Sequence, residues 1–268
     1  MHSTPLGFCS ISALDRPLAA VAELVAELGL DGIEVTARPP HLDPEATLAD
    51  AREAGRAVRG AGTRVLAYGS YLGREGERSA AAAAREVDRA AALGAPILRL
   101  WAEPGPAGGD LEEAAALLRH ACDAAADPGI DVVVERHAGS FADTPERIAR
   151  LLDAVGRSNL SLNYQPLDLL PPAAVADQPE DARRLVPFSR YLHVKNYRPN
   201  PDPEGPLLPG GSLGGGVLDW GAILEAAFAA GYAGPVVIEF LSFDPLPVEE
   251  KLAEDAGLLR RLAAAARP

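Results

Sequence analysis

The sequence predicts a single closed (β/α)8 barrel filling residues 1–268. Three observations predict it. Eight short apolar runs alternate with helix-patterned stretches along the chain. The runs are continuous and rich in Val, Ile and Leu, as in strands covered on both faces. A length of 268 residues suits one such barrel without a second domain. The repeated strand–loop–helix order dictates parallel pairing with right-handed crossovers, and eight units favour closure over an open, doubly wound sheet.

The first run, LGFCSIS at 6–12, precedes a helical stretch at 17–28. There Leu18, Val21, Leu24, Val25 and Leu28 share one face, and Gly29 is the stop signal. The second and third runs are GIEVT at 32–36 and RVLAY at 64–68. An Ala-rich helix former follows and ends at Gly94. The fourth run, ILRLWA at 97–102, leads into a helix predicted over 111–126. The fifth, VVVERH at 132–137, leads into Pro145–Val155, where Thr144 suits the N-cap and Pro145 the first turn. The last three are LSLNYQ at 160–165, YLHVKNY at 191–197 and VVIEF at 236–240, the last following a helix stop at Gly231. One segment breaks the rhythm. Residues 198–218, RPNPDPEGPLLPGGSLGGGVL, are too rich in Pro and Gly for helix or strand, so they read as a long loop over the barrel mouth, placed to act as a lid.

Composition removes several classes of function. With 25 basic and 38 acidic residues the formal charge is −13, which argues against a nucleic-acid partner. No run approaches the roughly 18 apolar residues of a membrane helix, and no membrane partner is expected. The N-terminus lacks the charged and apolar regions of a secretory signal, so a cytoplasmic location is the default expectation. Cys9 and Cys122 have no metal-type spacing, and Cys9 reads as a buried, reduced thiol.

Four runs end on metal-competent residues: Glu135, the Asn163/Gln165 pair, His193 and Glu239. In a closed parallel barrel those ends meet on one face, where active sites are built. A carboxylate closing an apolar strand costs several kcal/mol to bury unless it is paired or metal-bound. A bond to an arginine such as Arg99 would satisfy either glutamate alone, but two glutamates and a histidine on three strands favour a site. His193 and Lys195 stand two apart and point the same way. Arg99 and Trp101 likewise alternate onto one face. Arg99 could hold a hydroxyl, a carboxylate or an internal glutamate, and Trp101 could form an apolar wall. Glu34 and Tyr68 are further substrate-binding candidates, and Gly214, Gly215 and Gly216 could offer amides to an anionic group.

These motifs resemble those of the xylose isomerase-like TIM-barrel superfamily, in its sugar phosphate isomerase/epimerase branch. The likeness runs nearly end to end. It rests on ERHAG at 135–139, YLHVKN at 191–196 and LGGGVLDWGAILEAAFAAGYAGPVVIEF at 213–240. It implies that Glu135, His193 and Glu239 are three of four ligands of one divalent metal (Mn, Mg, Co or Zn). It also implies that the two glutamates act as acid and base in proton transfer beside a carbonyl, with His137 near the substrate. The sixth strand departs from the family pattern, Asp-x-x-His. Gln165 stands in place of the ligand carboxylate and Asp168 in place of the histidine, and Asn196 follows Lys195 where the family often has Asp. A neutral amide binds a hard cation more weakly than a carboxylate, so metal affinity should fall.

The expected metal set is therefore Glu135, Gln165, His193 and Glu239, and the expected substrate-binding set is His137, Arg99, Trp101, Asp168 and Lys195. Such a site suits isomerisation or epimerisation of a small carbohydrate-like molecule through an enediolate. The same intermediate losing a β-hydroxyl would make the chain a dehydratase or lyase, and loss of metal at Gln165 would leave a non-catalytic binder. No compact basic pair adjoins the Gly-rich loop, which points to a non-phosphorylated substrate. A DNA-repair nuclease, which needs many histidines and a basic groove, fits poorly with five histidines and a charge of −13. The resemblance further suggests a dimer or larger homo-oligomer.

Overall fold

A computed structural model describes residues 4–104 and 109–266. Eight parallel strands close into a barrel. In chain order they are β1 (Leu6–Cys9), β2 (Gly32–Thr36), β3 (Val65–Gly69), β4 (Ile97–Leu100), β5 (Asp131–Glu135), β6 (Leu160–Tyr164), β7 (Ser189–Val194) and, after a two-stranded excursion, β10 (Val236–Ile238). Each pairs with its sequence neighbour, and β10 pairs with β1 to close the ring. The helices α1 (Leu18–Glu27), α2 (Leu48–Gly60), α3 (Ala80–Leu93), α4 (Leu111–Ala125), α5 (Pro145–Val155), α6 (Gln178–Leu185), α7 (Trp220–Ala229) and α8 (Val248–Ala265) alternate with the strands. This is the (β/α)8 barrel expected from the alternating pattern.

Local chemistry sets the helix ends. Thr144 Oγ1 accepts the Arg147 amide at 3.3 Å, and Pro145 occupies the first turn, where a missing N–H costs nothing. The α3 helix stops at Gly94, whose φ of 83° is a left-handed cap that a Cβ would oppose. Strand residues facing outward pack under the helices. Those facing inward near the bottom of the ring, among them Leu66, Ile97, Val133 and Val237, form the apolar plug. Cys9 and Cys122 are free and buried, as expected of Cys9.

The strands are shorter than the apolar runs. The chain turns at Ser10–Ala13 into a 3-10 segment rather than continuing as strand, and Gln165, Glu239 and His137 lie just past their strands. The 198–218 segment also needs correction. It is not irregular throughout: β8 (Asn196–Arg198) pairs antiparallel with β9 (Leu208–Gly211) to form a separate ribbon. Pro209 is tolerated because a two-stranded ribbon leaves half its backbone groups unpaired. Two of the three glycine amides expected to face an anion are already taken. The Gly215 amide donates to Ser212 Oγ at 3.0 Å and the Gly216 amide to the Ser212 carbonyl at 2.9 Å.

Candidate active site

At the carboxyl ends of the strands lies a cavity of about 450 Å³. Arg99, Glu135, Lys195 and Glu239 form its base, and Trp101, His137, Asp168 and Phe240 contribute to its walls. Glu135 closes β5 and is 2% exposed; Glu239 follows β10 and is 5% exposed. His193, on β7 beside Val237, is fully buried, and its Nδ1 lies 3.3 Å from Glu239 Oε1. Single donor atoms of Glu135, His193 and Glu239 all fall within 4.8 Å of one another. The three stand at or next to the carboxyl ends of β5, β7 and β10, and the tilt and stagger of a closed barrel bring those ends to one rim.

Gln165 joins this group. Its Nε2 donates to Glu135 Oε1 at 3.0 Å and to the Arg136 carbonyl at 2.7 Å. Its Oε1 is buried and has no hydrogen-bond partner. Glu239 Oε2 also lacks a hydrogen bond, although Lys195 Nζ sits 3.1 Å away in ion-pair contact off the hydrogen-bonding angle. Unsatisfied buried oxygens are costly and rare. One of these belongs to the Glu135–His193–Glu239 trio and the other to Gln165, which bonds Glu135, so the group offers carboxylates, an imidazole and an amide oxygen, a donor set that suits a divalent cation.

The two glutamates differ electrostatically. Burial pushes the Glu135 carboxyl up, against the pull of Arg99, and nearby Glu239 adds to the rise, bringing it to about 7. Burial also opposes ionisation of Glu239, but Lys195 and His193 outweigh it and hold Glu239 well below the usual range. His193 is raised to about 10: burial works against its charge, and Glu239 and Glu34 more than compensate. The Asn163 amide sits 3.1 Å from His193 Nδ1. Its nitrogen suits a neutral ring and its oxygen a protonated one.

Arg99 is committed to the protein. Its Nε donates to Glu34 Oε1 at 2.8 Å and its Nη1 to Glu135 Oε2. It still borders the cavity. Trp101 is anchored by a 3.0 Å bond from Nε1 to the Ser70 carbonyl, and its ring stands edge-on to His137 at 5.1 Å. His137 sits between two carboxylates, with Nε2 3.2 Å from Asp168 Oδ2 and Nδ1 3.4 Å from Glu103 Oε1. Asp168 also takes an ion pair from Lys195 Nζ at 2.8 Å. The nine residues expected at the site thus fall in one neighbourhood. The two further candidates do not line it. Glu34 is wholly buried beneath it, and Tyr68 faces outward, where its hydroxyl donates to Glu86 on α3 at 2.9 Å. Strand alternation explains Tyr68, which pairs with Val35 rather than with the inward Glu34. Sequence reasoning missed Arg38, Tyr71, Arg74 and Glu75, which also line the cavity. They sit in loops, where no alternation signals direction.

The model of the family "Xylose isomerase-like TIM barrel" matches residues 22–262. The chain belongs to this family. No curated protein sequence matches it significantly. Among solved structures, a xylose isomerase-like TIM barrel protein from Mycobacterium smegmatis in complex with magnesium is 20% identical, with a TM-score of 0.75 over 100% of both chains. A D-allulose 3-epimerase from Methylomonas sp. is 18% identical, with a TM-score of 0.72 over 98% of this chain and 99% of that one. The probable 3-DHS dehydratase of petrobactin synthesis from Bacillus anthracis is 16% identical, with a TM-score of 0.70 over 96% of this chain and 99% of that one. At these identities the likeness establishes the shared fold.

Proposed function

We propose that this family member is a divalent-metal-dependent isomerase or epimerase acting on a neutral sugar or keto-polyol. The observation that carries the reading is the buried convergence of Glu135, His193 and Glu239 at the base of the cavity, with Gln165 bonded to Glu135 through Nε2 and its own Oε1 unpartnered. Those four residues would hold the ion, which supplies Lewis-acid polarisation of a substrate carbonyl. Glu135, whose burial raises its carboxyl in the metal-free protein, is suited to exchange a proton with the carbon next to that carbonyl. Glu239, held anionic by Lys195 and His193, is suited to accept one from the other side. Trp101 and Phe240 supply apolar walls, and His137 with Asp168 offers hydrogen bonds to hydroxyls.

The charge pairing favours an uncharged substrate. Arg38 lies 2.6 Å from Glu75, Arg74 lies 3.1 Å from Glu103, Arg99 pairs with Glu34 and Glu135, and Lys195 pairs with Asp168 and Glu239. Among the described residues lining the cavity, each Arg and Lys therefore already faces a carboxylate. A phosphate would have to break such a pair. The placement of His137 between Glu103 and Asp168 supports a second reading, dehydration, in which it would protonate a departing β-hydroxyl.

Elemental mass spectrometry on protein purified without chelator, then after Mn²⁺, Mg²⁺, Co²⁺ or Zn²⁺ addition, tests the metal. About one ion per chain is expected, with loss in Glu239→Gln. No bound metal under any condition would sink the reading. Product analysis against a panel of keto-sugars then separates epimer or isomer from dehydrated product.

A further inference from the structure

Glu34 lies outside the cavity and has no route to a substrate, yet it is a fully buried carboxylate. Its two oxygens are both used. Oε2 lies 2.7 Å from His193 Nε2, and Oε1 accepts Arg99 Nε at 2.8 Å. Arg99 in turn reaches Glu135 through Nη1. One buried arginine–glutamate pair thus grips a residue on each side of the trio. The neighbouring strand makes room for it: a Cβ at Gly69, on β3, would collide with Glu34 Oε1 and Arg99 Nη2. Burying an ion pair this way is weak as a source of stability, since the desolvation penalty can cancel the attraction. Its geometry has a more specific consequence. A carboxylate only accepts, so the nitrogen facing Glu34 must carry hydrogen. That nitrogen is Nε2, which leaves Nδ1 to face Glu239 at 3.3 Å and the Asn163 amide at 3.1 Å.

We propose that Glu34, buttressed by Arg99, is a positioning residue that keeps a proton on His193 Nε2 and presents Nδ1 to the Glu135–Glu239 pair. The role rests on the metal-site reading above and deepens it. An outer carboxylate of this kind fixes the tautomer and ring orientation of a ligand histidine, and losing one typically costs about 10- to 100-fold in metal affinity.

Mn²⁺ titration calorimetry on the parent, Glu34→Ala, Glu34→Gln and Gly69→Ala chains, each checked for folding by circular dichroism, tests the proposal. Imidazole ¹⁵N spectra of the parent with and without Mg²⁺ complete the test. Glu34→Ala should weaken Mn²⁺ binding by about 10- to 100-fold. Glu34→Gln should weaken binding less than Glu34→Ala, because its amide oxygen can still accept from Nε2 although its NH2 can no longer accept from Arg99. Gly69→Ala displaces the pair without removing a charge and should also weaken binding, which keeps the test open if Glu34→Ala does not fold. The parent ring with Mg²⁺ should carry its proton on Nε2. A proton on Nδ1 there, or parent-like binding by folded Glu34→Ala or Gly69→Ala, would overturn the role while leaving the metal reading intact. Failure of the parent to bind Mn²⁺ would overturn both.

Discussion

Gln165 is the residue on which the site's chemistry turns. As an amide it does two things that a carboxylate could not do together. Its Nε2 donates to Glu135 and to the Arg136 carbonyl, while its Oε1 is left buried and unpartnered. Gln165→Asp should therefore have opposite effects on the two states of the protein. In metal-free protein it removes both donated bonds and sets a second carboxyl near Glu135, costing roughly 1–3 kcal/mol. With metal it adds an anionic ligand and should raise affinity for Mn²⁺ or Mg²⁺. Paired calorimetry and thermal melts would show lower metal-free stability with tighter binding. A variant that bound metal less tightly than the parent would show that Gln165 lies outside the coordination sphere.

Among elements, the excursion after β7 shows how a stretch unreadable in sequence acquires structure. Prolines and glycines mask its period-2 signal, but Asn196 organises it: Nδ2 donates to the Leu213 and Leu218 carbonyls, and Oδ1 accepts the Leu218 amide at 2.9 Å. From the other side, Asp255 on α8 accepts the Leu213 amide at 2.8 Å. Burial pushes Asp255 up to about 6 from an ordinary value near 3.8, with the Leu213 amide opposing the rise. A raised carboxyl binds its proton more tightly in the folded state. Its contribution is thus fully present below about pH 4 and is lost as pH climbs through about 6. Asp255→Asn keeps an acceptor for Leu213 and cannot ionise. Urea denaturation should find it more stable than the parent at pH 7.5, by on the order of 1 kcal/mol, and little changed at pH 4. Equal differences at both pH values would show that ionisation of Asp255 is not what the substitution relieves.

For the whole molecule, the metal reading makes a prediction independent of turnover. A ligand that binds only the folded state at 100 times its dissociation constant adds about 2.7 kcal/mol. In a chain of this size that corresponds to roughly 5–10 °C in Tm. Differential scanning calorimetry should show such a rise with Mn²⁺ in the parent and none in Glu239→Gln. The rise should be larger at pH 8 than at pH 6 for the same Mn²⁺, because His193, raised to about 10, must give up a proton to coordinate. A rise of equal size in Glu239→Gln would locate the binding elsewhere.

Much of this was legible in the linear chain, for a definite reason. In a parallel barrel the order of the strands around the ring follows the order in the chain, so alternating apolar runs and helical stretches define both the fold and its active face. Glu135, His193 and Glu239 could be picked out because each ends, or nearly ends, an apolar run, and closure of tilted parallel strands brings such ends to one rim. Side-chain partnership is not encoded in that way. Whether Arg99 would face substrate or glutamate, whether Glu34 would reach the cavity or His193, and which loop residues of 38–75 would line the wall all depend on distances between strands far apart in sequence. Arg99 and Glu34 are 65 residues apart and His193 and Glu34 are 159 apart. Closure of the ring brings them together, and the cost of burying each charge then settles how they pair.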